Sequence, residues 1–326
     1  MCRAPRLKGA TSDKPAIHAA PAPAPARDVP HLVMIAHAGA LPASPAAVAA
    51  LDPERPVRIS HGCEERCSSH SFTRTMRLRD YCAALERGEG DAGYLKQTPL
   101  RPLLAAAGER PWRYAPGAEP WSVGALGLGV GAVAVCAAAA LLLAGRRAAA
   151  AVVALAAAFA TSRPCLFEDA YLWVGGSGAT TGLHSDDENN ILLMTRGRKV
   201  VRLHAPSDRR FLSPNGRYDS GTECCDVDAF LGEAAKAGKY AGYAGCPAPL
   251  RFELGPGDAL YIPAFWFHAV RSEALSVSVN VFFSTPLEMA RRWPQRAFFA
   301  VCHEYLGFWR GDCVCHRPPS PPGPAL

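Results

Sequence analysis

Three signatures of common catalytic classes are missing from this 326-residue chain. Without a Walker phosphate loop, a nucleophile elbow or a dinucleotide fingerprint, it offers no motif for a P-loop nucleotidase, an α/β-hydrolase or a nicotinamide enzyme. Charge is scarce: 20% of residues are charged, and the net +6 comes from Lys and Arg that are scattered rather than striped. No clear nucleic-acid patch is therefore visible. The 12 Cys are too few and too irregularly spaced for a disulfide framework, and no secretory signal opens the sequence. These absences point to an intracellular protein, cytoplasmic or nuclear, in a reducing compartment. Apolar residues, at 49%, are plentiful enough for a sizeable core in about two domains' length of chain.

The first 54 residues are rich in Ala and Pro, including PAPAPA at Pro21 to Ala26, and this composition predicts a disordered, unpacked N-terminal region. Within the first 27 residues Arg3, Arg6, Lys8, Lys14 and Arg27 stand against the single acid Asp13, which leaves organelle targeting open. Packed structure is expected from Arg55. PVRIS and SFTRTMRL read as strands, RLRDYCAALERG as an amphipathic helix, YLKQTPL as a strand and LRPLLAAAG as a short helix. Residues 55–121 are thus the first part of a domain.

Residues 122–160 interrupt it. Ser122 to Gly145 is 24 residues without a charge, roughly 36 Å if helical, followed by Arg146, Arg147 and a second apolar run of 13 residues, nine of them Ala. Three readings stay open for this Ala-rich insertion: a transmembrane helix with membrane association, a covered helical pair, or translated sequence absent from the mature protein.

From residue 165 to 285 the chain is strand-rich. AYLWVG, NNILLMT, RKVVRLHA, APLRFEL, DALYIP and LSVSVNVFF are short, β-branched or aromatic, and bounded by Gly, Pro or Asp. TRGRK, Thr195 to Lys199, is predicted as a tight hairpin whose glycine supplies the positive φ. The class is mainly β, an antiparallel sandwich or barrel with flanking helices. Residues 286–326 turn helical and then end in a Pro-rich tail.

His184, Ser185 and Asp186 form His-x-Asp, and strand residues two apart project to the same face, so one imidazole and one carboxylate can reach the same ion. Alone the motif arises often by chance, and its plain alternative is a loop histidine beside a solvated acid. His268, in GPGDALYIPAFWFHAV, offers a third ligand from a neighbouring strand. Two His and one carboxylate make the facial triad that leaves open positions on non-haem Fe(II). In SVSVNVFF, Ser276, Ser278 and Asn280 share one face, which either points inward beside the metal or faces solvent.

At these residues the chain resembles the JmjC, or cupin-like, family of Fe(II)- and 2-oxoglutarate-dependent oxygenases, in its hydroxylase branch. The resemblance runs from about Arg55 to Ser284, the insertion excepted. It rests on LWVG, Thr181 three before His184, Asn190 six after it, GRK ending at Lys199 fifteen after it, PGDALYIP and the aromatic run before His268. YDSG at Tyr218 to Gly221 and YLKQTPL also resemble segments of that branch.

The resemblance implies a double-stranded β-helix, or jelly-roll, with His184, Asp186 and His268 as iron ligands. It implies Lys199 as the cation for the distal carboxylate of 2-oxoglutarate, Thr181 and Tyr94 as hydroxyl donors to that carboxylate, and Asn190 and Asn280 lining the co-substrate pocket. O2 is the second co-substrate, succinate and CO2 are the co-products, and a protein or peptide is the implied substrate. A lysine demethylase, a cupin isomerase with another metal and a non-catalytic membrane-tethered binding module are the alternatives. A small molecule or tRNA base is an open substrate choice. The insertion departs from the family, because a single membrane span would part Tyr94 from His184.

Trp173, Phe265, Trp266 and Phe267 read as core and pocket wall, and Asp187 and Glu188 as solvated acids. His61, Cys63, Cys67 and His70 have a zinc-like composition without a standard spacing, as do Cys302, His303, Cys313, Cys315 and His316. Cys224 and Cys225 read as free thiols, and His204 as structural.

Overall fold

Residue alternation sends the two faces of strand β13 (Ser276–Phe283) into different environments, yet both are covered. Val277, Val279 and Val281 enter an apolar core shared with three helices, whereas Ser276, Ser278 and Asn280 are buried on the other face among polar partners. In the computed structural model, residues 29–33, 41–60, 72–89, 92–108, 145, 169–216, 221–240, 242–284 and 286–308 are described.

Strands are numbered along the chain. The large sheet runs in the order β1 (His31–Val33), β11 (Ala259–Ile262), β7 (Asn189–Arg196), β13, β5 (Asp169–Gly175), β4 (Tyr94–Pro99), β2 (Pro56–Ser60) and β3 (Phe72–Arg77). The small sheet runs β10 (Leu250–Leu254), β8 (Lys199–His204), β12 (Phe267–Ser272), β6 (Thr180–Asp186) and β9 (Thr222–Cys224). From β5 to β8, and again from β10 to β13, the chain alternates between the sheets. That winding, antiparallel throughout, is a double-stranded β-helix. Thr195 to Lys199 therefore carries the chain from one sheet to the other rather than pairing β7 with β8. Gly197 takes φ +78° there, and an added Cβ would collide with the Leu275 carbonyl.

Helices α1 (Pro45–Leu51), α2 (Leu78–Glu86) and α3 (Leu100–Ala106) pack on the outer face of the large sheet. Helix α2 buries Leu78, Tyr81, Cys82 and Leu85, the i, i+3, i+4, i+7 stripe of an amphipathic helix. The chain between β8 and β10, with α4 (Glu233–Lys239), covers the outer face of the small sheet, where Leu212, Val227 and Tyr243 pack on Leu183, Phe267 and Ala269. Between the sheets Leu192, Met194, Val201, Leu203, Leu260 and Ile262 fill part of the space, and a polar cavity takes up another part. Helix α5 (Pro286–Glu304) follows β13, as the composition past Pro286 predicts.

Two short elements correct the expectation of an unpacked N-terminal region. His31, Leu32 and Val33 pair with Tyr261, Leu260 and Ala259, and α1 buries Val48 completely. The physical reason lies in Ser44 and Pro45: the serine side chain accepts the Ala47 amide at 3.0 Å and proline occupies the first helical turn. The insertion 122–160, apart from Gly145, lies outside the described residues. Among the described residues no helix is long and apolar enough to cross a membrane.

Candidate metal and co-substrate site

Strands β6 and β12 lie side by side in register, with His268 directly opposite His184. Asp186, two residues after His184, projects to the same face. His184 Nδ1 contacts the Gly182 carbonyl at 2.8 Å and His268 Nδ1 the Trp266 carbonyl at 3.0 Å. These contacts turn both Nε2 atoms toward Asp186 Oδ2, at 3.7 Å from His184 and 3.6 Å from His268. Such edges are close to the roughly 3 to 3.5 Å that three ligands at about 2 to 2.2 Å from one ion would show.

Asp186 is anchored by Thr222, whose hydroxyl donates to Oδ1 at 2.9 Å, while the buried Oδ2 has no hydrogen-bond partner. Burial holds the His268 imidazole down at about 4, and the adjacent His184 ring pushes it the same way. A neutral imidazole with its lone pair aimed at an orphaned carboxylate oxygen is a donor set suited to a divalent cation. Among the described residues this is the one His, Cys, Asp and Glu cluster with such spacing.

The triad opens into a cavity of about 350 Å³, mouth included, lined from both sheets. The small sheet supplies Thr181, His184, Asp186, Lys199, His268 and Val270. The large sheet supplies Tyr94, Gln97, Trp173, Asn190, Leu192, Asn280 and Phe282.

Lys199 is 1% exposed, and its ammonium donates to Ser278 Oγ at 2.7 Å and Tyr94 Oη at 3.2 Å. No carboxylate among the described residues pairs with it, and burial pulls its amine down to about 7. Asn280 Nδ2 donates to Asn190 Oδ1 at 3.0 Å. Thr181 Oγ1, Asn190 Nδ2 and Trp173 Nε1 are buried without hydrogen-bond partners. Three unsatisfied polar atoms around one unpaired cation make a cradle for a polar, anionic ligand.

All eight residues singled out from the sequence therefore line one cavity: His184, Asp186, His268, Lys199, Thr181, Tyr94, Asn190 and Asn280. Trp173 is a wall of it, as expected. The model of the cupin-like domain family matches residues 7–289. The chain belongs to this cupin-like, JmjC-type family.

Among relatives of this cupin-like chain, tRNA wybutosine-synthesizing protein 5 of Gallus gallus is 38% identical over 115 residues, 33% of this chain and 31% of that protein. The bifunctional peptidase and (3S)-lysyl hydroxylase JMJD7 of Homo sapiens is 28% identical over 134 residues, 36% of this chain and 42% of its own length. Lysine-specific demethylase 8 of Xenopus tropicalis is 31% identical over 116 residues, 34% of this chain and 24% of its own. The cupin-like chain spans less than half the length of these curated relatives.

Several features escaped sequence reasoning. Thr222 and Gln97 carry no motif, and Ser278 was legible only as part of the polar stripe. Asp187, expected to be solvated, is half-buried and held by Arg296, whose Nε donates to Oδ2 at 2.5 Å. His204 is buried, with Nδ1 3.6 Å from Cys246 Sγ, and is structural as expected. Cys224 and Cys225 are free thiols. The His61 to His70 cluster, Cys313, Cys315, His316 and most of YDSG lie outside the described residues.

Proposed function

We propose that this chain is an Fe(II)- and 2-oxoglutarate-dependent dioxygenase that hydroxylates a protein side chain. The observation that carries the reading is Lys199: a buried cation without an acidic partner among the described residues, placed in the same cavity as a His-Asp-His triad. A dicarboxylate answers both ends, one carboxylate on the lysine and the other end on the metal. Family membership supports the same chemistry, and a hydroxylase among the relatives supports the reaction class.

In this reading His184, Asp186 and His268 hold Fe(II), which with 2-oxoglutarate and O2 supplies oxidation of a substrate C–H and releases succinate and CO2. Lys199, Tyr94 and Thr181 bind the distal carboxylate of the co-substrate, with Ser278 fixing the ammonium. Asn190 and Asn280 hold each other and present the free Asn190 amide to the cavity. Leu192, Val270 and Phe282 keep water from the reacting end, which strengthens every charged contact inside. The protein's contribution is orientation and a dry pocket.

The test is succinate release by the purified full chain with Fe(II) and 2-oxoglutarate against a peptide library, with His184→Ala as the blank. Peptide-dependent succinate with a 16 Da mass gain on the peptide supports hydroxylation of a protein side chain. Formaldehyde release instead assigns demethylation, and turnover only with RNA assigns a nucleic-acid substrate. No succinate under any condition makes the domain a binding module.

A further inference from the structure

Three consecutive acids run from the last residue of β6, Asp186, into the turn that follows, Asp187 and Glu188, and only the first belongs to the metal triad. Like charges at adjacent positions in a half-buried turn repel one another and compete for the same cation. The structure shows how the turn is fixed with one carboxylate facing in. Arg296 of α5 grips the Asp187 carboxylate with both Nε and Nη2, and its Nη2 lies 3.7 Å from Glu188. This fork on one carboxylate is the geometry in which arginine binds most tightly and with a defined direction.

The backbone beside it is held as well. The Asp187 amide donates to the Gly221 carbonyl at 2.9 Å, and the Asp186 carbonyl accepts the Phe265 amide at 2.7 Å. Gly221 packs so closely on the clamp that an added Cβ would sit 2.8 Å from Arg296 Nη2 and 2.9 Å from Asp187 Oδ1. The next residue along, Thr222, is the one that anchors Asp186 Oδ1. Glu288, also on α5, accepts from Asn189 Nδ2 at 3.2 Å one step further along the turn. Helix α5 thus fastens the segment that presents the metal carboxylate, although none of its described residues lines the cavity.

We propose that Arg296, acting through Asp187, is a positioning residue that sets the orientation of the Asp186 carboxylate and withdraws Asp187 from competing for the ion. The proposal rests on the metal reading of the triad and adds a distant residue, 110 positions along the chain from Asp186, to what holds it.

Removing Arg296 alone also leaves an extra uncompensated negative charge near the ion, which by itself favours cation binding. The decisive variant is therefore Asp187→Ala/Arg296→Ala in the full chain, which deletes the clamp while conserving net local charge. Mn(II) binding is read by the loss of the free-ion electron paramagnetic resonance signal, with thermal melting in parallel. The expected result is an Mn(II) Kd raised about tenfold to a hundredfold, the range typical for groups that orient metal ligands.

Arg296→Lys, which keeps the charge and loses the fork, should fall between wild type and the double variant, and it serves as the test if the double variant does not fold. Wild-type Kd in a folded double variant, or in Arg296→Lys when that is the test, overturns the proposal, as does a lowered melting temperature with unchanged Mn(II) affinity. A wild-type chain that takes up no Mn(II) overturns the metal reading itself, and this proposal with it.

Discussion

His184 and His268 face each other across paired strands, ring centroids 4.2 Å apart, each with Nδ1 on a backbone carbonyl and Nε2 toward Asp186. Burial and the adjacent His184 ring both disfavour a proton on His268, so that ring is held neutral and able to ligate. Addition of a divalent metal should raise the melting temperature, by about 2.7 kcal/mol of stability at a hundredfold excess over Kd. His268→Ala should abolish that shift. A metal-dependent shift that survives in His268→Ala, measured by thermal melting with Mn(II), would place the ion elsewhere.

Lys199→Met should abolish co-substrate binding and yet stabilise the protein in the absence of 2-oxoglutarate. The amine at about 7 in the fold titrates well above that when unfolded, so the unfolded chain binds more protons between these values and stability rises with pH across that window. At neutral pH and below, the buried cation carries its full penalty, on the order of a few kcal/mol, which methionine removes. Urea titration and 2-oxoglutarate binding measured on the same variant check both halves.

The same lysine makes co-substrate affinity depend on pH. Above about 7 the free protein loses the ammonium that the dicarboxylate needs, so the Kd for 2-oxoglutarate should rise up to about tenfold per pH unit until the bound-state value is reached. Isothermal titration at several pH values, in buffers of different ionisation enthalpy, should show a proton uptake on binding that grows toward one as the pH rises above about 7. A flat profile between pH 7 and 9 would remove Lys199 from the binding event.

Acid should weaken the fold through its buried histidines. His204 and His268 are both held at about 4 by burial, against an ordinary value of about 6.5. The folded form therefore binds fewer protons, and the stability these neutral rings contribute is intact above about 6.5 and lost as the pH falls toward 4. His204→Asn, at a residue that does not line the cavity, should reduce the slope of unfolding free energy in that window by up to about 1.4 kcal/mol per pH unit. Denaturant melts at several pH values measure it.

Tyr81 joins α2 to the sheet that carries Tyr94. Its buried hydroxyl donates to the Val174 carbonyl at 2.6 Å and accepts the Leu95 amide at 3.0 Å. Tyr81→Phe leaves both groups short of a partner and should cost about 1 to 3 kcal/mol in urea unfolding. Co-substrate affinity should weaken as well, because Leu95 adjoins Tyr94 on β4.

The elements legible in the sequence are those set by local periodicity. Individual strands such as PVRIS and YLKQTPL, the helix with Leu78, Tyr81, Cys82 and Leu85 on one side, and the alternating faces of β13 follow from side-chain geometry within a few residues. His184 and Asp186 share a face for the same reason. Ser44-Pro45 was an equally local helix start, hidden by the Ala and Pro around it.

Tertiary structure decided everything that depends on which distant segments meet. Residue order does not say that Lys199 turns inward while Arg196 and Arg198 remain exposed, because that choice is made by the crossing between sheets at Gly197. Nor does it say that His268 lands opposite His184, which is a matter of strand register. Thr222 on Asp186 and Arg296 on Asp187 join residues 36 and 109 positions apart with no repeating pattern between them. Periodicity encodes the face of an element, whereas the partner of that face is chosen by packing and by the demand that buried charge be met.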